Sequence, residues 1–240
     1  MRLLIIRHAD PDYSLDSLTP LGFKQATALG KYLKNIKIDK AFVSPLGRAL
    51  KTAELGLKEK NMKATILPWL REFDASIDNP NGKHYCWDWP IDIWSKDPSF
   101  YSIDTWTNNP IMKESSDLKE LLKERIDGLD SLLKEFGYVR DIRNYKVIKQ
   151  SHDTVALFCH FGVECVLLSH LINCSPVVLW HGFIATPSSI TVINTEERKN
   201  GLASWRISRF GDISHLEKEN IEESFAGRFC ECFDDITRHD

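Results

Sequence analysis

No stretch of this sequence is apolar for long enough to cross a bilayer. A spanning helix needs roughly 20 consecutive apolar residues. The longest candidate, about Val163 to Ile172, is interrupted by Glu164, Ser169 and His170. The chain enters an apolar run at Leu3, with no basic n-region and no small-residue cleavage site before it, so no signal peptide is expected. An excess of charge of one sign is also missing. The 31 Lys and Arg stand against 34 Asp and Glu, a net charge of -3. This excludes a global basic field for nucleic acid or a membrane surface, while leaving room for a local basic pocket. Cys86, Cys159, Cys165, Cys174, Cys230 and Cys232 include no CxxC pair. Without a secretion signal they are expected to be reduced thiols of a cytoplasmic protein. Nothing near Cys230-x-Cys232 completes a metal or redox site. There is no internal repeat and no low-complexity segment. At 240 residues and 42% hydrophobic content, a single domain over 1–240 is expected, with an insertion at about 76–153.

What the sequence does have begins at Leu3-Leu4-Ile5-Ile6-Arg7-His8. A short unbroken apolar run suits a strand buried on both faces. Arg7 and His8 then fall at its C-terminal end, the edge where open α/β sheets bind ligands. Thr19 followed by Pro20 reads as a helix N-cap and first turn, with a helix to about Leu33. Ile38 to Ser44 reads as a second strand. Ser44-Pro45 repeats the cap-and-proline signature, which starts a helix there and puts Arg48 in its first turn. Ala64 to Leu67 reads as a third strand, followed by Glu72 and Asp74.

From Ser76 to Asn109 the texture changes. Pro80, Pro90 and Pro98 interrupt it, and Trp87, Trp89, Trp94 and Trp106 crowd into it. Such a segment is too aromatic for a disordered linker and reads as an ordered insertion capping the site. Ser115 to Phe136 is amphipathic with period 3.6, and Asp117 with Glu120 suggests a capping box. Residues 138–153 read as a loop or hairpin. Thr154 to Cys159 is a second strong apolar run ending in His160-Phe161-Gly162, with a helix after it. Ser189 to Asn194 and Ser204 to Ser208 read as strands. Residues 214–240 read as an acidic surface tail, partly helical. His84 and His152 read as surface residues, and His181 as structural.

This alternation predicts an α/β three-layer sandwich, a mostly parallel central sheet flanked by helices, in which Arg7, His8, Arg48, Glu72 and His160 converge on one edge. Two arginines offer planar forks matched to phosphate oxygens. A helix N-terminus near Arg48 adds backbone donors. In such a site His8 attacks phosphorus, His160 and the arginines hold the equatorial oxygens, and Glu72 protonates the departing oxygen. Asp10 and Asp74 are the other candidate acids.

The runs Leu-Ile-Ile-Arg7-His8-Ala, Leu-Thr19-Pro-Leu-Gly22-x-x-Gln25-Ala, Val-Ser44-Pro-Leu-Gly-Arg48-Ala-x-x-Thr52-Ala-Glu54, Leu70-x-Glu72 and Cys-His160-Phe-Gly162 occur in this order. Together they resemble the histidine phosphatase superfamily in its phosphoglycerate mutase-like branch, over about residues 1–75 and 154–195. The resemblance implies a phosphohistidine on His8, Glu72 as proton donor, and Arg7, Arg48 and His160 as the phosphate pocket. The matched stretches add Ser14, Thr19 and Gly162 to the substrate-binding set. Phe161, rather than Asp, follows His160, which favours the mutase-like branch over the acid-phosphatase branch.

Three departures stand out. Ala9 replaces the usual Gly after Arg-His, and Ser14 stands where many members carry Asn. The segment after Glu72 enters the Trp-rich region instead of a Gly-rich continuation, which argues against a true phosphoglycerate mutase. The expected function is hydrolysis of a small phosphomonoester through His8. The alternatives are a phosphoglycerate-type mutase and a catalytically silent member binding phosphorylated ligands or a protein. No metal or cofactor is expected. The expected partner is a small phosphorylated substrate, with no nucleic acid and no membrane. Oligomeric state has no signature in the sequence.

Overall fold

The computed structural model describes residues 1–78, 85–226, 228 and 231–235. Pro80, His84 and Cys230 lie outside the described residues. The strands are β1 (Arg2–Arg7), β2 (Pro11–Asp12), β3 (Ser17–Leu18), β4 (Lys40–Val43), β5 (Thr65–Ile66), β6 (Tyr138–Asp141), β7 (Asn144–Val147), β8 (Thr154–Cys159), β9 (Ile190–Lys199) and β10 (Leu202–Asp212). The helices are α1 (Pro20–Leu33), α2 (Gly47–Lys58), α3 (Ile91–Trp94), α4 (Pro110–Lys113), α5 (Leu118–Glu135), α6 (Phe161–Ile172), α7 (Pro176–Gly182) and α8 (Ser214–Lys218).

An eight-stranded sheet runs in the order β5-β4-β8-β1-β9-β10-β7-β6, and β2 and β3 form a separate small ribbon. The pairings β5–β4, β4–β8 and β8–β1 are parallel. Those of β1–β9, β9–β10, β10–β7 and β7–β6 are antiparallel. The α/β architecture with flanking helices is as expected, but the sheet is mixed and not mostly parallel. Antiparallel neighbours need no crossover helix. The chain after α7 crosses β1 as a strand and returns through a tight β9–β10 hairpin, and the polar stretch 138–153 adds the β6–β7 hairpin beyond it.

Burial follows the strand period of two. Leu3 and Ile5 of β1, with Val155, Leu157 and Cys159 of β8, face one way into a core shared with α5, α6 and α7. Leu4, Ile6, Ala156 and Phe158 face the other way, onto α1 and α2. Both central strands are therefore covered on both sides, which is why they read as continuous apolar runs.

The helix starts differ from expectation in two places. Thr19 caps α1, its Oγ1 accepting the Gly22 N–H at 3.0 Å. Ser44 does not cap α2, which begins at Gly47 after Leu46 and has no side-chain cap. The Ser44 hydroxyl faces His160 instead. The Asp117–Glu120 capping box does not form either. Asp117 Oδ1 accepts the Ser76 N–H at 3.1 Å and the Ser115 hydroxyl at 2.9 Å, tying α5 to the segment after Glu72.

The Trp-rich segment is ordered by local caps. Asp97 and Asn109 each accept a backbone N–H two residues on and each precede a proline, so short turns start at Pro98 and Pro110. Such Asx caps followed by proline pre-set the first helical turn. Trp89 and Trp106 are buried, and Trp106 meets Trp180 edge-on at 5.7 Å. The C-terminal stretch is less superficial than its composition suggests. His215, Leu216 and Ser224 are buried, and the Glu222 carbonyl accepts from Gln25 on α1 at 3.1 Å. The five described cysteines are free. Among the described residues no helix is long and apolar enough to cross a membrane.

Candidate functional site

His8 leaves the end of β1 with its backbone held on both sides. Its N–H donates to the Cys159 carbonyl at 3.0 Å, and its carbonyl accepts from Ser188 at 2.9 Å. Its ring Nδ1 lies 2.8 Å from the Ala9 carbonyl. A carbonyl can only accept, so Nδ1 carries the proton and Nε2 keeps its lone pair. The ring is 2% exposed. Burial first, then the charges of Arg7 and Arg48, hold its pKa well below the usual imidazole value, against the pull of the Ala9 carbonyl. His8 is therefore a neutral imidazole with one defined basic nitrogen.

Arg7 is buried, with Nη1 donating to the Ala185 carbonyl at 2.5 Å, and its guanidinium lies 5.6 Å from the centre of the Phe161 ring. Arg48 stands in the first turn of α2 and donates to Asp16 Oδ1 at 2.7 Å. Asp16 Oδ2 accepts the neighbouring Gly47 N–H at 2.6 Å. Burial would raise the Asp16 pKa, but the Gly47 and Arg48 donors outweigh it and bring it down. Asp16 is thus an anionic clamp on the arginine. The exposed Tyr13 ring lies 5.3 Å from the Arg48 guanidinium. Thr52, one turn on, donates to the Arg48 carbonyl and accepts the Ala9 N–H, linking α2 to the residue after His8.

His160 follows β8 immediately before α6 and is fully buried. Its ring centre is 5.1 Å from that of His8. Ser44 Oγ lies 2.7 Å from its Nε2 and already accepts the Leu46 N–H at 3.3 Å. The hydroxyl proton is then available to Nε2, an arrangement in which the ring proton sits on Nδ1, a buried atom with no other partner.

Glu72 approaches from the segment after the single turn Pro68–Leu70. Its Oε1 accepts two backbone N–H groups, Phe73 and Val163, each at 2.8 Å. Burial raises its pKa, partly offset by these bonds and by the Arg7 charge. Gly162 is what permits this approach: a Cβ there would stand 2.6 Å from Glu72 Oε1 and 3.0 Å from Trp87 Nε1. The Trp87 indole donates to the Phe73 carbonyl at 2.9 Å and stacks on the exposed Tyr85 at 5.1 Å.

The structure thus gathers Arg7, His8, Arg48, Glu72, His160 and Gly162 at one edge of the sheet. It does not bring Ser14 and Thr19 to them in the same way. Ser14 is exposed, and its N–H and hydroxyl both donate to Asp12 Oδ1. The Thr19 hydroxyl is engaged by the α1 cap and by Asp10 Oδ2. Among the alternative acids, Asp74 is exposed and Asp10 is tied to Thr19 and to Ser224. His181 bridges scaffold, donating from Nδ1 to the Val177 carbonyl and accepting the Trp89 N–H on Nε2. The sequence reading gave no site role to Asp16, Ser44 or Glu164, and named Trp87 only as one of four tryptophans in the capping segment. Ser44 was visible only as a helix cap, and Asp16 carries no local signature. Glu164 had one, a lone acid inside an apolar helix.

Among the described residues no cluster of His, Cys, Asp and Glu suits a metal ion. A buried neutral imidazole beside two guanidinium groups is suited to an anionic phosphorus centre. The model of the histidine phosphatase superfamily (branch 1) matches residues 3–84. Over these residues, about a third of its length, the chain is similar to that superfamily. It is 26% identical over 196 residues, 75% of this chain and 84% of the other, to an adenosylcobalamin/alpha-ribazole phosphatase of Escherichia coli. Over a shorter stretch of 84 residues, 29% of this chain and 33% of the other, it is 38% identical to fructose-2,6-bisphosphatase TIGAR B of Danio rerio. In fold it is similar to a phosphoserine phosphatase of Entamoeba histolytica, with a TM-score of 0.58 and 18% identity over 90% of this chain and 98% of the other.

Proposed function

We propose that this phosphatase hydrolyses a small phosphomonoester through a phosphohistidine on His8. The observation that carries the reading is the His8 tautomer: Nδ1–H is committed to the Ala9 carbonyl, so the lone pair is on Nε2, in a ring that burial and Arg7 keep neutral. The Nε2 lone pair forms a bond to phosphorus as the ester P–O bond breaks. Arg7, Arg48 and the Nδ1–H of His160 carry the charge on the equatorial oxygens, the preorganised electrostatic stabilisation that phosphoryl transfer depends on. Glu72 gives its proton to the leaving oxygen. Its Oε1 is fixed by two backbone donors, which leaves Oε2 for the proton in transit. Its raised pKa suits it to hold that proton. In the second half, Glu72 takes a proton from water, the water oxygen bonds to phosphorus, the P–N bond breaks, and inorganic phosphate leaves. The Tyr85–Trp87 stack flanks Glu72 and so borders the path of the leaving group.

The test is single-turnover labelling with a radiolabelled phosphomonoester, quenched in alkaline detergent. A label stable to alkali and lost in acid, on a peptide containing His8, is expected in wild type and absent in His8→Ala. Full turnover by His8→Ala, or a label on another residue, overturns the mechanism.

A further inference from the structure

Behind Arg7 lies a layer of buried polar groups that this reaction does not use. Glu164 stands in the first turn of α6 and is 1% exposed. Its N–H donates to the His160 carbonyl at 2.9 Å, so its backbone is locked to the site. Neither carboxyl oxygen has a hydrogen bond of ordinary geometry. Arg7 faces it from β1, Thr191 from β9, Glu72 from the segment after Leu70, Cys159 from β8, and Cys165 from its own helix. Burial pushes both thiols up, so they stay neutral. Arg7 has a matching deficit, its Nε being buried and unpartnered. The Thr186 and Ser189 hydroxyls, on the strand-entry turn that receives Arg7, are buried without partners too.

An ionised carboxylate left unpaired in such a place is costly, and the group protonates or leans on the nearest cation. Burial first, and then Glu72, push Glu164 up to about 7, against the pull of Thr191 and Arg7. The cation it leans on is the one assigned above to the phosphate. An incoming phosphate dianion therefore competes with Glu164 for Arg7 and repels its carboxylate. By linkage, whatever protonates Glu164 strengthens phosphate binding, and phosphate binding raises the affinity of Glu164 for a proton.

We propose that Glu164 is a positioning residue for Arg7 that exchanges a proton with solvent as phosphate enters: ionised, it balances Arg7 in the empty pocket; protonated, it releases that charge to the ligand. This rests on the phosphatase reading. The proton comes from bulk water, one for each carboxylate neutralised, and no other bond changes.

The experiment measures the inhibition constant of inorganic phosphate, against a chromogenic aryl phosphate, at a series of pH values in wild type and Glu164→Gln. Ionisation of phosphate and of Glu72 is common to both proteins and cancels in the ratio of the two constants. That ratio is expected to change about tenfold from slightly acid to slightly alkaline pH, the effect of one pK unit of coupling, with wild type the weaker binder at high pH. A purely structural role scales the constant by the same factor at every pH, so a flat ratio overturns the proposal. Glu164→Met, apolar and of similar length, replaces the Gln variant if that one does not fold. In wild type alone, buffer-dependent heats of phosphate binding at alkaline pH are expected to show proton uptake, and their absence overturns the proposal as well. Failure of wild type to bind phosphate or cleave any phosphomonoester defeats the phosphatase reading and this proposal together, whereas binding with no pH-dependent difference defeats only the role of Glu164.

Discussion

On one side of β1 the sheet runs parallel through β8, β4 and β5; on the other it runs antiparallel through β9, β10, β7 and β6. The groups that meet phosphate in the proposed mechanism all come from the parallel side. Arg7 ends β1 and His8 follows it, His160 follows β8, Arg48 lies just beyond the end of β4, and Glu72 follows β5 by one turn. Parallel strands all end at the same edge, so side chains placed after each of them are brought together by topology. The antiparallel side supplies backbone and hydroxyls: the Ala185 carbonyl on Arg7, the Ser188 N–H on the His8 carbonyl, and Thr191 beside Glu164. One half presents chemistry and the other braces it. The division predicts that substitutions on the parallel edge lose rate with little loss of stability, and that those in the antiparallel core do the reverse.

The largest effect is expected at His8. His8→Ala removes the proposed nucleophile and leaves the arginines in place, so kcat should fall by about ten-thousand-fold or more, the scale seen when a covalent nucleophile is deleted. Its thermal unfolding should stay close to that of wild type. A drop below about a hundredfold would mean that another group attacks phosphorus. On the other side of the sheet, Trp205 is buried in β10 against Tyr138 and Tyr145. Trp205→Ala should destabilise by about 3–5 kcal/mol, through lost burial and the cavity left behind. Its kcat per folded molecule should be unchanged, measured after active-site titration with the labelling assay. A fall in kcat as large as the fall in stability would show that the bracing half also tunes the chemistry.

How much of this was legible in the sequence follows the same division. The parallel half was readable because its two central strands are apolar on both faces and run into polar residues, so β1, β8, Arg7, His8 and His160 announced themselves as Leu-Ile-Ile-Arg-His and Leu-Phe-Cys-His. Arg48 and Glu72 were readable from their distance after the next two strands. The antiparallel half was underestimated because Glu196 to Lys199 is polar and Arg206 to Asp212 carries only Ile207 and Phe210 as apolar residues, with register shifts along β10. Strands of that kind lose the alternation that marks them. Ser44 was misread because serine before proline is a fair helix cap by local chemistry, and only the tertiary fold turns its hydroxyl toward His160. The Trp-rich segment was opaque for a related reason. Its turns are built from Asx caps and prolines too short to show a period, and its burial comes from partners as remote as Trp180.

The smallest of these effects lies where the two halves meet. Glu164 belongs to the helix that follows His160, yet Thr191 of the antiparallel half faces its carboxyl. Folding raises its pKa from an ordinary 4.5 to about 7. Between these values the folded chain holds a proton that the unfolded chain has released, so the native state loses stability as pH rises through this window. The loss is complete above about pH 7 and absent below about pH 4.5. Glu164→Gln keeps the shape and removes the titration. It should therefore be more stable than wild type at slightly alkaline pH, by about 3 kcal/mol at most, the equivalent of the shift. The difference should close on acidification, as followed by denaturant unfolding at several pH values. A gain in stability paired with an altered pH dependence of phosphate inhibition would mark Glu164 as an acid whose burial works against the fold and for the site. A Gln variant less stable than wild type at every pH would instead make the carboxylate a structural partner of Arg7, and the boundary between the bracing and the reacting half would then run through that pair.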